Sequence, residues 1–273
     1  MHVKLPTGPR RGAAILWGWV RRDCYTWRLI GTALSFTLFG VGGVVLGLTL
    51  VPLVMLFPGT AAARQARVRE VIRLGFRSFI GFMRGVGVLT YEIEGADRLG
   101  RPGQLIVANH PSLIDVVFLI AFTPKACCVV KRALWRNPAG AIAVRGAGYV
   151  PNTPTERMIG QASAALASGQ SLIMFPEGTR SRSGRPRHFH RGAANIAVRS
   201  AAAVTPVFVK VAPTTLTKSS PWYRIPSRRP HFSLRVGDDL DPAPFRERQS
   251  IPLASRALND RLLSVYAHEL GGI

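Results

Sequence analysis

Residues 104 to 115 read Gln-Leu-Ile-Val-Ala-Asn-His-Pro-Ser-Leu-Ile-Asp, and this stretch decides the fold. Residues 104–108 form a short apolar run that is typical of a buried strand. Pro111 is suited to the first position of a helix, so a helix is predicted to begin there. His110 then lies at a junction between strand and helix, and ligands collect at such carboxyl ends of strands in α/β folds.

Short apolar runs alternate with helical stretches from about Leu89 onward. This alternation predicts an α/β fold with a mixed, mostly parallel sheet flanked by helices. A helix from Thr153 to about Ser168 is marked by a capping threonine and a following proline, Pro154, and another helix begins near Gly192. Residues 252–270 predict one amphipathic helix that closes the domain. The other predicted strands are 89–94, 126–130, 171–175, 204–211 and 232–236.

The N-terminal segment 29–57 has no ionisable side chain, and about 20 apolar residues suffice to cross a hydrocarbon core of roughly 30 Å. Gly40, Gly42, Gly43 and Pro52 give it places to break, so a single span and a re-entrant hairpin of two short helices are both open. Arginines flank the segment on both sides, which suits a hairpin with both flanks on the cytoplasmic face. Residues 68–88 mix arginines with apolar side chains, as an interfacial helix or an ordinary packed surface helix does.

The chain is strongly basic, because 36 Lys and Arg residues against 14 Asp and Glu give a net charge of +22 over 273 residues. A positive field of this size attracts anionic lipids, phosphorylated thioester carriers or nucleic acid. A dedicated nucleic-acid binder rarely carries an uncharged span as long as 29–57, so we expect membrane lipids and no nucleic acid as partners. The three cysteines have neither the spacing of a metal site nor that of a disulfide framework.

Asp115 is the only charged residue between Pro111 and Thr123. Burying an unpaired carboxylate costs several kcal/mol, so we expect a partner, and His110 lies close enough to supply an imidazole N–H. A carboxylate there would fix the imidazole tautomer and raise its basicity, as in a general base. The alternative is a histidine that caps the helix and an aspartate that bonds to backbone.

A second polar motif, Phe-Pro-Glu-Gly-Thr-Arg-Ser at 175–181, follows another predicted buried strand. It combines the carboxylate of Glu177, a glycine suited to an unusual turn, and the guanidinium of Arg180, which can hold a phosphate or carboxylate in bidentate fashion. A surface turn with a structural ion pair is the alternative. Residues 204–207, Val-Thr-Pro-Val, enter a further strand and indicate core packing when taken alone.

Together, in this order and spacing, residues 109–115, 131–134 with 146–152, 175–181 and 204–207 resemble the four conserved blocks of the 1-acylglycerol-3-phosphate acyltransferase (lysophospholipid acyltransferase) family. The resemblance covers roughly residues 105–212. We therefore expect a membrane-associating N-terminal region, residues 1–88, followed by an acyltransferase catalytic domain, residues 89–273.

The resemblance implies a role for each matching residue. His110 would deprotonate an acceptor hydroxyl, which attacks the thioester of acyl-CoA or acyl carrier protein without a covalent acyl-enzyme, and Asp115 would orient His110. Lys131 matches a family lysine that meets the acceptor phosphate. No metal and no redox cofactor are implied. The acceptor-binding residues implied are Lys131, Glu177, Gly178, Thr179 and Arg180.

One position departs from the family pattern. The second block usually ends in an arginine implicated in binding glycerol phosphate, whereas Asn152 stands here and cannot replace a fixed positive charge. Lysophosphatidic acid is the expected acceptor and phosphatidic acid the expected product. A non-phosphate acceptor, such as an amino-acid lipid or another hydroxylated hydrophobic compound, is the alternative within the same chemistry.

Two further alternatives come from other functional classes. A non-catalytic membrane protein would bind anionic lipid through its arginines and would have no need of a buried Asp115. A hydrolase would use the same base to activate water, but the chain has no Gly-x-Ser-x-Gly nucleophile turn. The expected location is the membrane, at the cytoplasmic face of the inner or plasma membrane.

Overall fold

The structure, a computed structural model, describes residues 24–153, 155–181, 188–248 and 250–271. Residues 1–23 of the predicted N-terminal region and the predicted helix-starting Pro154 lie outside these ranges. The strands are β1 (Thr90–Glu94), β2 (Gln104–Ala108), β3 (Cys127–Lys131), β4 (Val150–Asn152), β5 (Leu172–Met174), β6 (Ala203–Ala212) and β7 (His231–Val236). The helices are α1 (Tyr25–Leu56), α2 (Ala61–Gly85), α3 (Asp115–Phe122), α4 (Arg132–Arg136), α5 (Pro138–Gly146), α6 (Thr155–Ala167), α7 (Gly192–Ser200), α8 (Ala243–Arg248) and α9 (Ile251–Leu270).

The strands form one seven-stranded sheet in the order β1-β7-β6-β2-β5-β3-β4. Strand β2 is central, pairs in parallel with β5 and β6, and is buried at all five positions. Only β7 runs against its neighbour β6, while β1 pairs with β7 in parallel. The predicted fold class is confirmed: the sheet is mixed, mostly parallel and flanked by helices.

Two local predictions differ from the structure. The helix after β2 begins at Asp115 rather than at Pro111, because the carboxylate of Asp115 accepts the backbone N–H of Ser112 and holds the preceding residues in a turn. Strand β4 was not predicted, since it has only three residues and contains Pro151. A proline fits there because β4 lies at the edge of the sheet, where one side of its backbone needs no partner strand.

Helices cover both faces of the sheet. On one face the hydroxyl of Tyr266 in α9 donates to the carbonyls of Val107 and Val207, 2.7 and 3.2 Å away, and so ties α9 to two central strands. On the other face Phe118 of α3 stacks on Phe232 of β7, with ring centroids 5.1 Å apart. The sheet is therefore the middle layer between two layers of helices.

The apolar N-terminal segment forms one continuous helix, α1, rather than two short helices. A π-helical turn at Leu46–Leu50 ends two residues before Pro52. Because proline lacks an N–H and its ring clashes with the carbonyl four residues earlier, the wider turn accommodates Pro52 without ending the helix. α1 is long and apolar enough to cross a membrane, and only 11% of its most apolar window is buried.

Helices α1 and α2 pack against each other as an antiparallel hairpin. Phe39 of α1 contacts the rings of Phe76 and Phe79 of α2, with centroids 5.9 and 5.1 Å apart. α2 in turn packs on α3 and buries Val68, Ile72 and Ile80 among other side chains. The outer side of α1 remains apolar. Its exposed residues include Trp27, Ile30, Leu34, Leu38, Val41, Val45, Leu48, Leu53 and Leu56, which we call the outer stripe.

Candidate active site

His110 and Asp115 are in direct contact, as the sequence predicts. Nδ1 of His110 lies 3.0 Å from Oδ2 of Asp115, at the carboxyl end of the central strand β2. The Asp115 side chain is fully buried, whereas the imidazole keeps 16% of its surface exposed. Because Nδ1 faces the carboxylate, Nε2 is the ring atom that remains to take a proton from a ligand. This is the geometry of an oriented general base.

The buried position of Asp115 changes its acidity. Desolvation raises the pKa of the carboxyl from its ordinary 3.8 to about 6, against the hydrogen bonds from His110 and from the N–H of Ser112, which lower it. Oδ1 is buried and has no hydrogen-bond partner among the described residues. The carboxylate is therefore held in a costly environment next to the imidazole, an arrangement that is frequent at functional sites.

Glu177 and Ser181 bind the backbone of His110. The carboxylate of Glu177 accepts the backbone N–H of His110 at 3.0 Å and the Ser181 hydroxyl at 2.7 Å. The backbone N–H of Ser181 donates to the carbonyl of His110 at 2.7 Å, which closes a ring of hydrogen bonds between the loops after β2 and β5. The sequence suggested no role for Ser181, although its position four residues after Glu177 in a turn was the available signal.

The rest of the motif after β5 shapes the turn beside His110. The ring of Phe175 stacks on the imidazole with centroids 4.3 Å apart. Gly178 has a φ of +63°, which a side chain would strain, and an added Cβ would come within 3.3 Å of the His190 ring. Thr179 is half-buried in the same turn. The glycine is therefore needed for the turn that the sequence predicted.

Arg180 is held by backbone carbonyls. Its Nη1 donates to the carbonyls of Leu216 and Thr217 at 2.7 and 2.8 Å, and the carbonyl of Leu216 also accepts the N–H of Leu113 at 3.1 Å. The guanidinium has five N–H groups, so three remain on Nε and Nη2. Those three have no partner among the described residues, and the Nε and Nη2 edge is the one that suits a bidentate oxyanion.

Lys131 ends strand β3 at the same edge of the sheet. Strand β5 separates β3 from β2, so at about 4.8 Å per strand Lys131 lies roughly 10 Å to the side of the His110 position. Its register partner on β4 is Asn152, and both side chains are exposed. The residue that departs from the family pattern is therefore the direct neighbour of the lysine expected to meet phosphate.

Asn109 lies in the motif before His110, and the sequence alone predicts no role for it. Its buried side chain donates to the carbonyl of Val209 and accepts the N–H of Val209, both at 2.8 Å. This pair extends the contact between β2 and β6 and fixes the chain one residue before His110. Among the described residues no group of three or more His, Cys, Asp or Glu side chains could hold a metal.

Comparisons with known proteins match the part of the chain that carries these residues. The family model described as Acyltransferase matches residues 90–210, which include every candidate described above from His110 to Arg180. Within the chain, 149 residues are 28% identical to a 1-acyl-sn-glycerol-3-phosphate acyltransferase of Pseudomonas aeruginosa, and 153 residues are 28% identical to the alpha enzyme of that name from Homo sapiens. Residues 90–210 are therefore similar to acyltransferases, and the relatives that they resemble are 1-acylglycerol-3-phosphate acyltransferases.

The matches to the two curated relatives cover only part of each chain. They cover 52% of this chain and 58% of the Pseudomonas protein, and 53% of this chain and 52% of the human protein. The chain thus spans about half the length of these relatives. The solved structure of the 1-acyl-sn-glycerophosphate acyltransferase from Thermotoga maritima matches with a TM-score of 0.68 over 90% of this chain and 97% of that one. At 20% identity this match shows that the two chains share a fold.

Proposed function

We propose that this chain is a membrane-associated O-acyltransferase that moves a fatty acyl group from an acyl thioester to the hydroxyl of lysophosphatidic acid and forms phosphatidic acid. The observation that carries the proposal is the 3.0 Å contact between Nδ1 of His110 and Oδ2 of the buried Asp115. The relatives from Pseudomonas aeruginosa and Homo sapiens are named 1-acyl-sn-glycerol-3-phosphate acyltransferases, which supports the choice of acceptor. We also propose the division into an N-terminal membrane region, residues 1–88, and a catalytic domain, residues 89–273.

The proposed reaction is a direct transfer. Nε2 of His110 removes the proton from the acceptor hydroxyl as its oxygen attacks the thioester carbonyl carbon. Asp115 holds the Nδ1–H tautomer and stabilises the imidazolium that forms. The tetrahedral intermediate then collapses, the C–S bond breaks, and the leaving thiolate takes the proton back from His110. This route uses no covalent acyl-enzyme and needs no metal or redox cofactor.

The acceptor phosphate is proposed to lie between Lys131 and Arg180. The Nε and Nη2 edge of Arg180 is oriented by the carbonyls that hold its Nη1, which favours a bidentate oxyanion contact. Lys131 adds an exposed charge at the same edge of the sheet. Glu177 acts on the site by binding the backbone N–H of His110. Gly178 allows the turn, and Thr179 follows it in the chain directly before Arg180.

The alternative acceptor within this chemistry is a hydroxylated lipid without a phosphate. It is favoured by one observation, the presence of Asn152 beside Lys131, because an amide cannot supply the second fixed charge there. An amino-acid lipid or another hydroxylated hydrophobic compound would then be acylated. A non-catalytic protein that binds anionic lipid remains the alternative outside this chemistry.

Membrane association is proposed from α1, whose outer stripe has few contacts with the rest of the chain. The helix spans 32 residues, about 48 Å at 1.5 Å per residue, and is held along one side by α2. We propose the cytoplasmic face of the inner or plasma membrane, where acyl-CoA and acyl carrier protein are present. The partners are then membrane lipids and the thioester donor, with no nucleic acid.

The test is acyl transfer by the purified, detergent-solubilised protein from labelled acyl-CoA or acyl carrier protein to a panel of acceptors. His110→Ala is the variant and His268→Ala, at an exposed histidine of α9, is the matched control. We expect transfer to lysophosphatidic acid that His110→Ala abolishes and His268→Ala preserves. Transfer to a phosphate-free acceptor alone would select the alternative, and unchanged transfer by His110→Ala would refute the catalytic role.

A further inference from the structure

The segment between β6 and β7, residues 213–230, which we call the aromatic loop, lies at the active-site edge of the sheet. Strand β6 runs parallel to β2, so the carboxyl ends of both strands meet at this edge. Trp222 and Tyr223 are 42% and 57% exposed, and their ring centroids are 5.8 Å apart. Exposed Trp and Tyr are enriched where proteins meet the headgroup region of a bilayer, because each ring has an apolar body and a polar atom.

The aromatic loop is attached to α1. The ring of Trp222 contacts that of Phe36 on α1, with centroids 5.5 Å apart. The buried guanidinium of Arg28, also on α1, donates to the carbonyls of Pro226 and Ser227 at 2.9 and 2.7 Å. These contacts fix the aromatic loop against the side of α1 that carries Arg28 and Phe36.

The positive charge of the aromatic loop favours contact with an anionic surface. Residues 213–230 contain no Asp or Glu, and the four basic side chains among them are exposed. A cationic segment next to exposed aromatic rings complements an anionic bilayer. An acidic carrier protein would meet the same charge, but it would leave unexplained why exposed aromatic rings lie against the apolar helix α1. The basic residues are Lys218, Arg224, Arg228 and Arg229.

We propose that the aromatic loop is a second membrane contact, with Trp222 and Tyr223 seated among the headgroups of an anionic bilayer. The inference rests on the proposed membrane association of α1. The same loop supplies the Leu216 and Thr217 carbonyls that hold Arg180, so its docking brings the acceptor site to the lipid surface. A lipid acceptor then reaches His110 directly from the leaflet.

The experiment places a fluorescent label on the loop in the full chain. Cys24 is exposed whereas Cys127 and Cys128 are buried, so a Cys24→Ser background allows selective labelling. An environment-sensitive nitrobenzoxadiazole label is attached to Tyr223→Cys, and separately to Leu38→Cys on the outer stripe and to Leu253→Cys on α9. Leu253 is 54% exposed on a helix of the opposite sheet face. Each protein is mixed with phosphatidylcholine–phosphatidylglycerol vesicles that carry a nitroxide on the headgroup or the upper acyl chain.

We expect the nitroxide lipids to remove most of the emission at positions 223 and 38 and to leave position 253 unchanged. In vesicles of pure phosphatidylcholine, quenching that is lost at position 223 but kept at position 38 would support a contribution of the basic side chains to the membrane contact of the loop. Quenching at 38 without quenching at 223 would overturn this inference and leave the membrane association of α1 standing. Quenching at neither position would overturn both. A shift at 223 caused by acyl carrier protein, with none caused by vesicles, would reassign the loop to protein docking.

Discussion

Lys131 and Asn152 are register partners on the adjacent strands β3 and β4, at the active-site edge of the sheet. Lys131 therefore has an uncharged amide beside it, at the position where the pattern that the sequence resembles has an arginine. In the proposed acceptor site, Lys131 and Arg180 supply one charge each, since Asn152 supplies none at the β4 position. The acceptor preference of this chain is expected to depend on this pair more than on the catalytic dyad.

Restoring the charge at position 152 tests this dependence. We expect Asn152→Arg to raise kcat/KM for lysophosphatidic acid by about tenfold, mainly through a lower KM, since a charged hydrogen bond contributes about 1.5 to 3 kcal/mol. Transfer to a phosphate-free lipid should not rise. The control is Gln161→Arg, which adds the same charge at an exposed position of α6. An equal gain in Gln161→Arg would show that the net charge, and not the position, is responsible.

Asp115→Asn is expected to lower the activity and to raise the stability of the protein. The amide removes the charge that fixes the His110 tautomer, so kcat should fall by about 10³- to 10⁴-fold. At pH 7 the free energy of unfolding should rise by about 1 to 3 kcal/mol, because a buried carboxylate with a raised pKa costs free energy to ionise. Steady-state kinetics and urea unfolding measure the two effects. A less stable Asp115→Asn protein at pH 7 would contradict the second expectation.

The pH dependence of that stabilisation follows from the pKa of Asp115. In the folded chain the value rises from 3.8 to about 6, so between these pH values the folded state keeps a proton that the unfolded state has lost. The contribution of Asp115 to stability is therefore greatest below about pH 4 and declines until about pH 6. The unfolding free energies of Asp115→Asn and the native protein should converge near pH 4 and separate by pH 7. A difference that does not vary with pH would refute this linkage.

The activity should also decline at acid pH as Asp115 takes up a proton. As the pH falls through about 6, Asp115 takes up a proton, and the Nδ1–H of His110 loses its charged acceptor. We expect log kcat/KM to decline below about pH 6, with a slope of one or steeper. The measurement is the pH profile of kcat/KM with stability monitored in parallel. A flat profile between pH 5 and 7 would separate catalysis from the charge of Asp115.

The dyad and the sheet could be predicted from the sequence because local features determine them. Asp115 stands alone in an apolar run, so it needed a partner, and His110 was the polar side chain in reach. The position of the helix start was wrong by four residues, since propensity places proline first whereas the Asp115 carboxylate captures the N–H of Ser112. A single hydrogen bond thus outweighed the preference of Pro111.

The remaining parts of the site depend on contacts between distant residues. The Leu216 carbonyl that holds Arg180 lies 36 residues further along the chain, in a loop with no apolar periodicity to place it. The pairing of Lys131 with Asn152 required β4, a strand too short and too proline-rich to be recognised. Sequence patterns identify elements with a buried face, whereas register and loop paths are set by packing.

Ser181→Ala tests the hydrogen-bonded ring that fixes His110. The serine hydroxyl donates to Glu177, whose carboxylate binds the backbone N–H of His110, so its loss should loosen the imidazole without removing any group that touches substrate. We expect kcat to fall by about 10-fold with KM nearly unchanged, since small misplacements of a catalytic group are costly. Ser181→Thr, which keeps the hydroxyl, should recover most of the rate. Ser168→Ala, at an exposed serine after α6, is the matched control, and a rise in KM alone for Ser181→Ala would place this residue in acceptor binding instead.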